Sequence, residues 1–223
     1  MAPVKQREWH PAFEEYCEAI FELREDDVDV IQARIADRLA VSRPAVSEMI
    51  RRMERADLVE INSGVIRLLP DGLALAETVV RRHRLAERFL TDMLGLSWAD
   101  AHEEAGRWEH VISPTVEAAM MHALGDPTTC PHGNPIPGTD YQPPSSVTLD
   151  TLQVGQSFTV SRIPEELEFT PGLLSFLESS SLLPGHSGIV TALEGDGRTI
   201  IAIDGQSVEI TRFATQRILV TAA

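Results

Sequence analysis

Apolar side chains recur at helical spacing over roughly residues 11–69, and the spacing becomes alternating at the end of that stretch. Residues three and four apart share one side of a helix, whereas alternating residues share one face of a strand. The predicted elements are a helix with Phe13, Tyr16, Ile20 and Leu23 inward, helices at Val30–Leu39 and Pro44–Ala56 joined by a turn, and a hairpin at Leu58–Leu69. Two helices, a three-residue turn and a following hairpin predict a winged helix-turn-helix.

Three further helices and then a set of short strands are predicted after the hairpin. The helices are Asp71–Leu94, Trp98–Ile112 and a third that runs from Pro114 through Met121. Residues 125–146 are rich in Pro, Gly and Thr and are predicted to be a linker. The predicted strands are Phe158–Ile163, Gly188–Leu193, Thr199–Ile203, Val208–Ile210 and Ile218–Val220, interrupted by a helical turn at Pro171–Leu177. Such strands are typical of a small β-barrel.

These patterns predict a fold that is mainly α with a small all-β domain. The predicted domains are a winged helix-turn-helix over 1–70, a helical domain with its linker over 71–143 and a β-barrel over 147–223. The helical domain is short and offers the apolar side chains Phe89, Met93, Met120 and Met121, which a second copy would bury better than one chain alone. We therefore expect a homodimer.

The charge distribution separates one segment of the 223-residue chain from the rest. The net charge is -15, with 34 acidic and 19 basic side chains. A polyanion repels such a protein unless basic residues are gathered locally. Six arginines and only three acidic residues lie between Gln32 and Arg55, so this segment is predicted to contact DNA.

The remaining composition predicts a cytoplasmic protein that does not contact a membrane. No apolar run approaches the length of a membrane span, and the N-terminus lacks the apolar stretch of a secretion signal. Cys17 and Cys130 lie far apart in unlike contexts, which indicates no disulfide framework.

Histidines and glutamates on two predicted helices form the most distinctive chemical pattern. His102, Glu109 and His110 share one side of a helix, because positions i, i+7 and i+8 lie together. His83 and Glu87 interrupt the apolar stripe of the preceding helix, where a carboxylate needs a partner. A lone histidine there would more often be a core residue, but five ligand-type residues on adjacent helices favour a divalent metal site.

With these residues in place, the chain resembles the diphtheria toxin repressor family of metal-dependent transcriptional regulators, which includes iron-dependent regulators and manganese transport regulators. The resemblance covers almost the whole chain, and the C-terminal segment resembles an FeoA-like β-barrel. The motifs that carry it are Ala33-Arg34-Ile35-Ala36-Asp37-Arg38-Leu39, Arg82-His83-Arg84-Leu85-Ala86-Glu87-Arg88, His102-Glu103-Glu104-Ala105, Trp108-Glu109-His110 and Gly133-Asn134-Pro135-Ile136-Pro137-Gly138.

The resemblance implies two metal sites per subunit. The implied ligands are His83, Glu87 and His102 for an ancillary site, and Glu109 and His110 with Glu15 from the first helix for a primary, regulatory site. Iron-sensing members place methionine and cysteine where this chain has Glu15 and Gly106, so a neighbour such as Glu18 is a candidate to fill the gap. The loss of both sulfurs favours a hard ion. The expected cofactor is Mn(II), with Fe(II) as the alternative because it also accepts carboxylates and imidazoles.

Some family members add two ligands from the C-terminal domain to the ancillary site. The matching positions here are Thr170 and Leu173, which do not correspond to those ligands. Glu165, Glu166 and Glu168 lie near enough to substitute, and the sequence does not choose among them.

The second helix of the helix-turn-helix is the expected DNA-reading element. In such folds its N-terminal residues reach base edges, and arginines farther along contact phosphates. The residues expected at the interface are Ser42, Arg43, Pro44, Ala45, Ser47, Glu48, Arg51, Arg52 and Arg55.

The sequence therefore predicts a metal-dependent repressor of metal homeostasis genes that binds double-stranded operator DNA as a dimer. An Fe(II)-dependent regulator of iron uptake genes is the alternative, and a metal-buffering protein without DNA activity is a third. We do not expect an enzyme or an organic substrate. The zinc-protease pattern His-Glu-x-x-His begins at His102 but fails at Gly106, where the second imidazole is missing.

Overall fold

The computed structural model describes residues 11–222, which form two compact units. One unit extends to Val80 and the other begins at Arg81, and each is considered by itself. Within the described residues, no helix is both long and apolar enough to cross a membrane. The three-domain division expected from the sequence stays a prediction.

The N-terminal unit contains the predicted winged helix-turn-helix. Its elements are α1 (Pro11–Glu25), α2 (Gln32–Arg38), α3 (Arg43–Arg55), β1 (Val59–Asn62), β2 (Val65–Leu68) and the start of α4 (Pro70–Asp92). The strands pair antiparallel, with Asn62 opposite Val65 at the turn. Tyr16, Ile20 and Leu23 of α1 are buried as predicted and share a core with Ile35, Ile50 and Ile66. The predicted helix-turn-helix and hairpin are therefore confirmed.

Helices α5 (Trp98–Trp108) and α6 (Pro114–Ala123) follow α4. Ser97 and Ser113 cap their N-termini, and each side chain accepts a hydrogen bond from a backbone N–H three residues on. Helix α5 ends at Trp108, short of the predicted Ile112, so Glu109 is its C-cap and His110 lies beyond the helix. The apolar contacts of this region centre on Leu85, Leu90 and Ile112.

The predicted short strands of the C-terminal domain form a small antiparallel sheet, in which the barrel is not closed. Its six strands follow the order β3-β8-β4-β5-β6-β7, which leaves β3 and β7 at opposite edges within the described chain. The elements are β3 (Val147–Thr148), β4 (Ser157–Arg162), α7 (Glu165–Glu168), α8 (Leu173–Ser179), β5 (Ser187–Leu193), β6 (Thr199–Ile203), β7 (Gln206–Ile210), α9 (Arg212–Thr215) and β8 (Leu219–Ala222). Strand β3 has only two residues, too few to pair across a closing seam.

One face of this sheet carries the main core of the C-terminal unit. Alternate residues of the strands, such as Phe158, Val160 and Ile201, point into it. Helix α8 covers them with Leu174 and Leu177, and Trp98 of α5 joins the same cluster. The short helices α7 and α8 are therefore positioned beside α5, close to its histidine.

Candidate metal centre

Helix α4 presents His83 and Glu87 one turn apart, and both side chains are buried. His102 on α5 meets them. Its Nδ1 lies 3.0 Å from Glu87 Oε1 and 3.3 Å from His83 Nε2, and His83 Nε2 lies 3.2 Å from Glu87 Oε1. The structure thus brings together the three residues that the resemblance implies for the ancillary site.

Glu109 approaches the other nitrogen of His83. Glu109 Oε2 lies 2.5 Å from His83 Nδ1, and its Oε1 lies 3.2 Å from His110 Nε2. The α-helical backbone dihedrals of Glu109 continue the direction of α5 past Trp108. The expectation that His102, Glu109 and His110 share one continuous helix is therefore corrected, yet His102 and Glu109 contact His83, and His110 contacts Glu109.

Glu15 and Glu18 lie one turn apart on α1, in the N-terminal unit, with Glu15 exposed and Glu18 buried. Since the proposed partners Glu109 and His110 belong to the other unit, the ligand roles of Glu15 and Glu18 stay predictions. Gly106 offers no side-chain donor, and a Cβ built there would have no heavy atom within 4 Å.

Three further ligand-type side chains lie on the far side of Glu87: Cys130 and His132, which the sequence analysis did not assign to the site, and Glu168, which it named as one of three candidates. Glu168 Oε2 of α7 lies 3.3 Å from His102 Nδ1 and 3.0 Å from His132 Nδ1. His132 Nδ1 is 3.5 Å from Glu87 Oε2, and Cys130 Sγ is 3.8 Å from His132 Nδ1. The Cys-x-His spacing just before the Gly133–Gly138 motif was the available signal.

The loop that carries Cys130 and His132 is held tightly against the sheet. Gly133 adopts a φ of +86°, and a Cβ there would come within 2.4 Å of the Ser161 carbonyl oxygen, so only glycine is accommodated. The next residue, Asn134, donates from Nδ2 to Glu168 Oε1 at 2.8 Å. This bond orients the second oxygen of Glu168 toward the two histidines.

The three glutamates of α7 have different partners. Glu165 pairs with the fully buried Arg84, whose Nη2 lies 3.1 Å from Glu165 Oε1, while Glu166 pairs with Arg217 at 2.7 Å. Glu168 lies beside His102 and His132, which favours it over the other two as the candidate ligand. Thr170 and Leu173 take no part in the described contacts with these histidines.

Without a bound cation, the neighbouring carboxylates keep the imidazoles of this centre protonated. Burial lowers the pKa of His83, but Glu87 and Glu109 outweigh it and hold this pKa well above its ordinary value. In the same way, Glu168 and Glu87 overcome burial and raise the pKa of His102 to about 10.

For the carboxylates, burial raises the pKa and the neighbouring histidines lower it. Burial raises the pKa of Glu168, yet His132 and His102 together lower it to about 2. Burial also raises the pKa of Glu87, and His132 and His83 lower it well below its ordinary value. Burial and the charge of Glu87 raise the pKa of the Cys130 thiol to about 11. The carboxylates are therefore ionised and neutralised by imidazolium protons, which a cation can replace.

The donor set suits a divalent metal ion. Imidazole and carboxylate groups are ligands for Mn(II), Fe(II) and Zn(II), and a thiol adds preference for softer ions. Glu87 Oε2 and His132 Nε2 are buried and have no hydrogen-bond partner among the described residues. Buried polar atoms without partners are costly unless another group satisfies them, and for Glu87 a metal ion would do so.

The candidate DNA-binding helix α3 presents a polar, exposed side. Ser42 Oγ accepts a hydrogen bond from Ala45 N at 3.4 Å, while Val46, Ile50 and Met53 are buried. The exposed predicted residues are Ser42, Arg43, Pro44, Ala45, Glu48, Arg51, Arg52 and Arg55, and Ser47 is half-buried. Their exposure is compatible with DNA contact, which stays a prediction.

Salt links on α3 orient two of its arginines. Arg51 donates to Ser47 Oγ at 3.0 Å and to Glu48 at 3.4 Å, and Arg55 lies 3.8 Å from Glu48. Arg52 stacks on the ring of Phe13 from α1, with 5.4 Å between the guanidinium carbon and the ring centroid. The arginines are therefore partly ordered before any partner arrives.

Comparisons with known proteins show which families and relatives this chain is similar to. Residues 10–63 match the family described as "Iron dependent repressor, N-terminal DNA binding domain", and residues 69–138 match "Iron dependent repressor, metal binding and dimerisation domain". The chain is 48% identical over 207 residues to the diphtheria toxin repressor of Corynebacterium diphtheriae, covering 88% of this chain and 91% of that protein.

Two other relatives differ in the metal that their names give. The iron-dependent repressor IdeR of Mycobacterium tuberculosis is 37% identical over 209 residues, covering 88% of this chain and 91% of that protein. A solved structure described as a manganese-dependent transcriptional repressor in complex with manganese superposes with a TM-score of 0.84 at 33% identity, covering 95% of this chain and 100% of that one.

Proposed function

The chain belongs to the diphtheria toxin repressor family of metal-dependent transcriptional regulators, and from this membership we propose how its own residues act. Like its iron- and manganese-dependent relatives, it is a metal-dependent transcriptional repressor. The observation that carries the proposal is the buried convergence of His83, Glu87, His102 and Glu109. The chain binds operator DNA as a homodimer when this centre holds a divalent cation.

Two cation sites per subunit are proposed, each built from the chain's own nitrogen and oxygen donors. The proposed ligands are His83, Glu87 and His102 at the ancillary site and Glu109, His110, Glu15 and Glu18 at the regulatory site. A bound cation supplies positive charge that the histidine protons otherwise provide. The histidines must lose those protons on binding, so binding releases protons.

We propose Mn(II) as the working ion. The regulatory site has carboxylate oxygens and imidazole nitrogens and no sulfur, since Glu15 and Gly106 occupy the positions of two sulfur ligands in iron-sensing members. Hard donors of this kind suit Mn(II). Fe(II) is the second candidate, because the iron-dependent repressor IdeR of Mycobacterium tuberculosis is 37% identical to this chain.

The proposed switch connects α1 to α3. Arg52 of α3 stacks on Phe13 of α1, one half-turn from Glu15. Ligation by Glu15 and Glu18 would therefore hold the helix on which the DNA-reading helix rests. A ligand shifts a conformational equilibrium only by its differential affinity, so DNA must in turn tighten cation binding.

An anaerobic operator-binding titration tests this function. Fluorescence anisotropy of labelled operator DNA would be compared for metal-free protein and for protein with Mn(II), Fe(II) or Zn(II). We expect tight binding only with metal, and loss of the metal response in His83→Ala but not in His186→Ala, an exposed histidine paired with Asp204. Equal DNA affinity with and without every metal would overturn the proposal. Metal binding without any DNA binding would favour a buffering protein.

A further inference from the structure

Glu87 belongs to two groups of ligand-type side chains in the C-terminal unit. The first contains His83, Glu87 and His102, and the second contains Glu87, Cys130 and His132. In each group the donor atoms lie within 4.8 Å of one another. Glu87 Oε1 faces the first group and Glu87 Oε2 faces the second, so one carboxylate has a separate oxygen for each.

The second group has the distances of ligands around a common centre. Glu87 Oε2 and Glu168 Oε2 are buried and have no hydrogen-bond partner in the part of the chain that the structure describes, although His132 Nδ1 lies 3.5 Å and 3.0 Å from them. Four ligands arranged tetrahedrally at 2.0–2.1 Å from an ion stand about 3.4 Å from one another. The distances within this group are therefore close to those between ligands of one ion.

The two groups differ in chemical softness. The first offers two imidazoles and a carboxylate oxygen, whereas the second adds the sulfur of Cys130. Thiolates select ions such as Zn(II), while oxygen and nitrogen donors also serve Mn(II). Burial of all the second group's side chains excludes water as a competing ligand.

We propose that Glu87 bridges two cations of different softness, one held by His83 and His102 and the other by His132, Cys130 and Glu168. Carboxylate-bridged ions stand about 3.5–4 Å apart. The second cation connects α4 to α7 and to the loop that carries Cys130. It thereby holds the Glu87 carboxylate in place for the cation at His83 and His102. Only the first of these two sites rests on the proposed function.

Cobalt titration of the full-length metal-free protein tests the bridge without DNA. Co(II) accepts nitrogen, oxygen and sulfur ligands, and its bond to a thiolate gives a near-ultraviolet charge-transfer band. We expect this band in the wild type and its complete loss in Cys130→Ser. The chain has only one other cysteine, Cys17, so Cys17→Ala is the matched control and should keep the band.

Electron paramagnetic resonance of the same samples tests the sharing of Glu87. Two Co(II) ions on one carboxylate couple their spins, which lowers the signal per ion. We expect a lower signal per bound cobalt in the wild type and Cys17→Ala than in Cys130→Ser. Glu168→Gln should weaken the thiolate band at limiting cobalt, which provides a second variant that keeps the thiol.

Absence of the thiolate band in the wild type would overturn the softer site. Equal signal per cobalt in the wild type and Cys130→Ser would overturn the bridge. Either result together with intact metal-dependent operator binding would leave the proposed function standing, so the two failures are distinguishable.

Discussion

Gly106 is the residue at which this chain departs most clearly from a sulfur-containing regulatory site. Replacement by cysteine meets no steric obstacle, because no heavy atom lies within 4 Å of a Cβ built there. We expect Gly106→Cys to raise the affinity for Zn(II) relative to Mn(II) by at least about tenfold, since one added sulfur ligand favours the softer ion. Competition titrations measured by isothermal calorimetry check the ranking.

Gly106→Ala is the control for this substitution. Both variants replace glycine inside α5, so Gly106→Ala should gain about 0.5–1 kcal/mol of stability from helix propensity and Gly106→Cys should gain less. Only the cysteine variant should change the ion ranking. An unchanged ranking in both would contradict the assignment of Gly106 to the ligand shell.

The shifted pKa values of the centre predict opposite pH dependences for the metal-free and metal-bound protein. The pKa of His102 is raised from 6.5 to about 10, so its stabilisation is complete below pH 6.5 and is lost as pH rises toward 10. The pKa of Glu168 is lowered from 4.5 to about 2, so its stabilisation is complete above pH 4.5 and is lost toward pH 2. These groups make the metal-free protein most stable between pH 4.5 and 6.5.

Metal binding should instead strengthen with rising pH, because cations and protons compete for the same imidazoles. Chemical unfolding of the metal-free protein and calorimetric Mn(II) titration, both followed from pH 6.5 to 10, measure the two trends. His102→Gln should weaken the pH dependence of both stability and metal affinity, while His186→Gln, at an exposed position, should not. Metal affinity that falls as pH rises over this range would refute the interpretation.

The sequence predicted those ligands that share helical periodicity. His83 and Glu87 are one turn apart, and His102 and Glu109 lie seven residues apart, so local spacing alone indicated which sides they occupy. Cys130 and His132 were not anticipated, and Glu168 was only one of three candidates, since a loop and a four-residue helix meet α4 only through long-range packing. No periodic pattern in the sequence encodes such long-range packing.

At the scale of elements, a buried ion pair connects α1 to α2. Arg38 pairs with Glu22, and both side chains are at most 6% exposed. We expect Arg38→Met to destabilise the N-terminal unit by about 3–5 kcal/mol, because it leaves a buried carboxylate without its main partner. Urea unfolding of the whole protein measures the loss.

Two further variants separate the ion pair from side-chain volume. The double variant Glu22→Met with Arg38→Met should recover most of the stability, since it removes both charges. Arg55→Met, which breaks the exposed pair with Glu48, should cost no more than about 1 kcal/mol. A loss as small in Arg38→Met as in Arg55→Met would show that the buried pair contributes little.

Elements with many repeats of their pattern were predicted better than short ones. Helices α1, α3 and α4 span 15, 13 and 23 residues and follow apolar stripes with recognisable caps or breaks. Helices α7 and α9 have four residues each, less than two turns, and show no periodicity. The strands of the small β domain were predicted, but alternation does not say whether the two edge strands pair, so the open sheet was not foreseen.

At the scale of the whole molecule, the helices α4, α5 and α6 have too small a core to explain their apolar content. The apolar cluster that these helices form has seven buried residues, and three of them are alanines. By contrast, Met93, Leu94 and Val111 are 54%, 55% and 78% exposed. Exposed apolar side chains of this size are available for an interaction surface, and the proposed homodimer supplies a partner for them.

We therefore expect Leu94→Asp to weaken dimerisation by at least about tenfold, since a buried unpaired charge in an interface costs more than 1.4 kcal/mol. Analytical ultracentrifugation measures the change, with Val154→Asp, 58% exposed in the C-terminal domain, as the control. Operator affinity should fall together with dimerisation, because two linked helix-turn-helix units bind two half-sites at an effective concentration that separate subunits lack. Metal affinity at the His83 centre should change little, because every described ligand of that centre belongs to one chain. If the Leu94→Asp protein stays dimeric, the dimer interface must lie on a different surface.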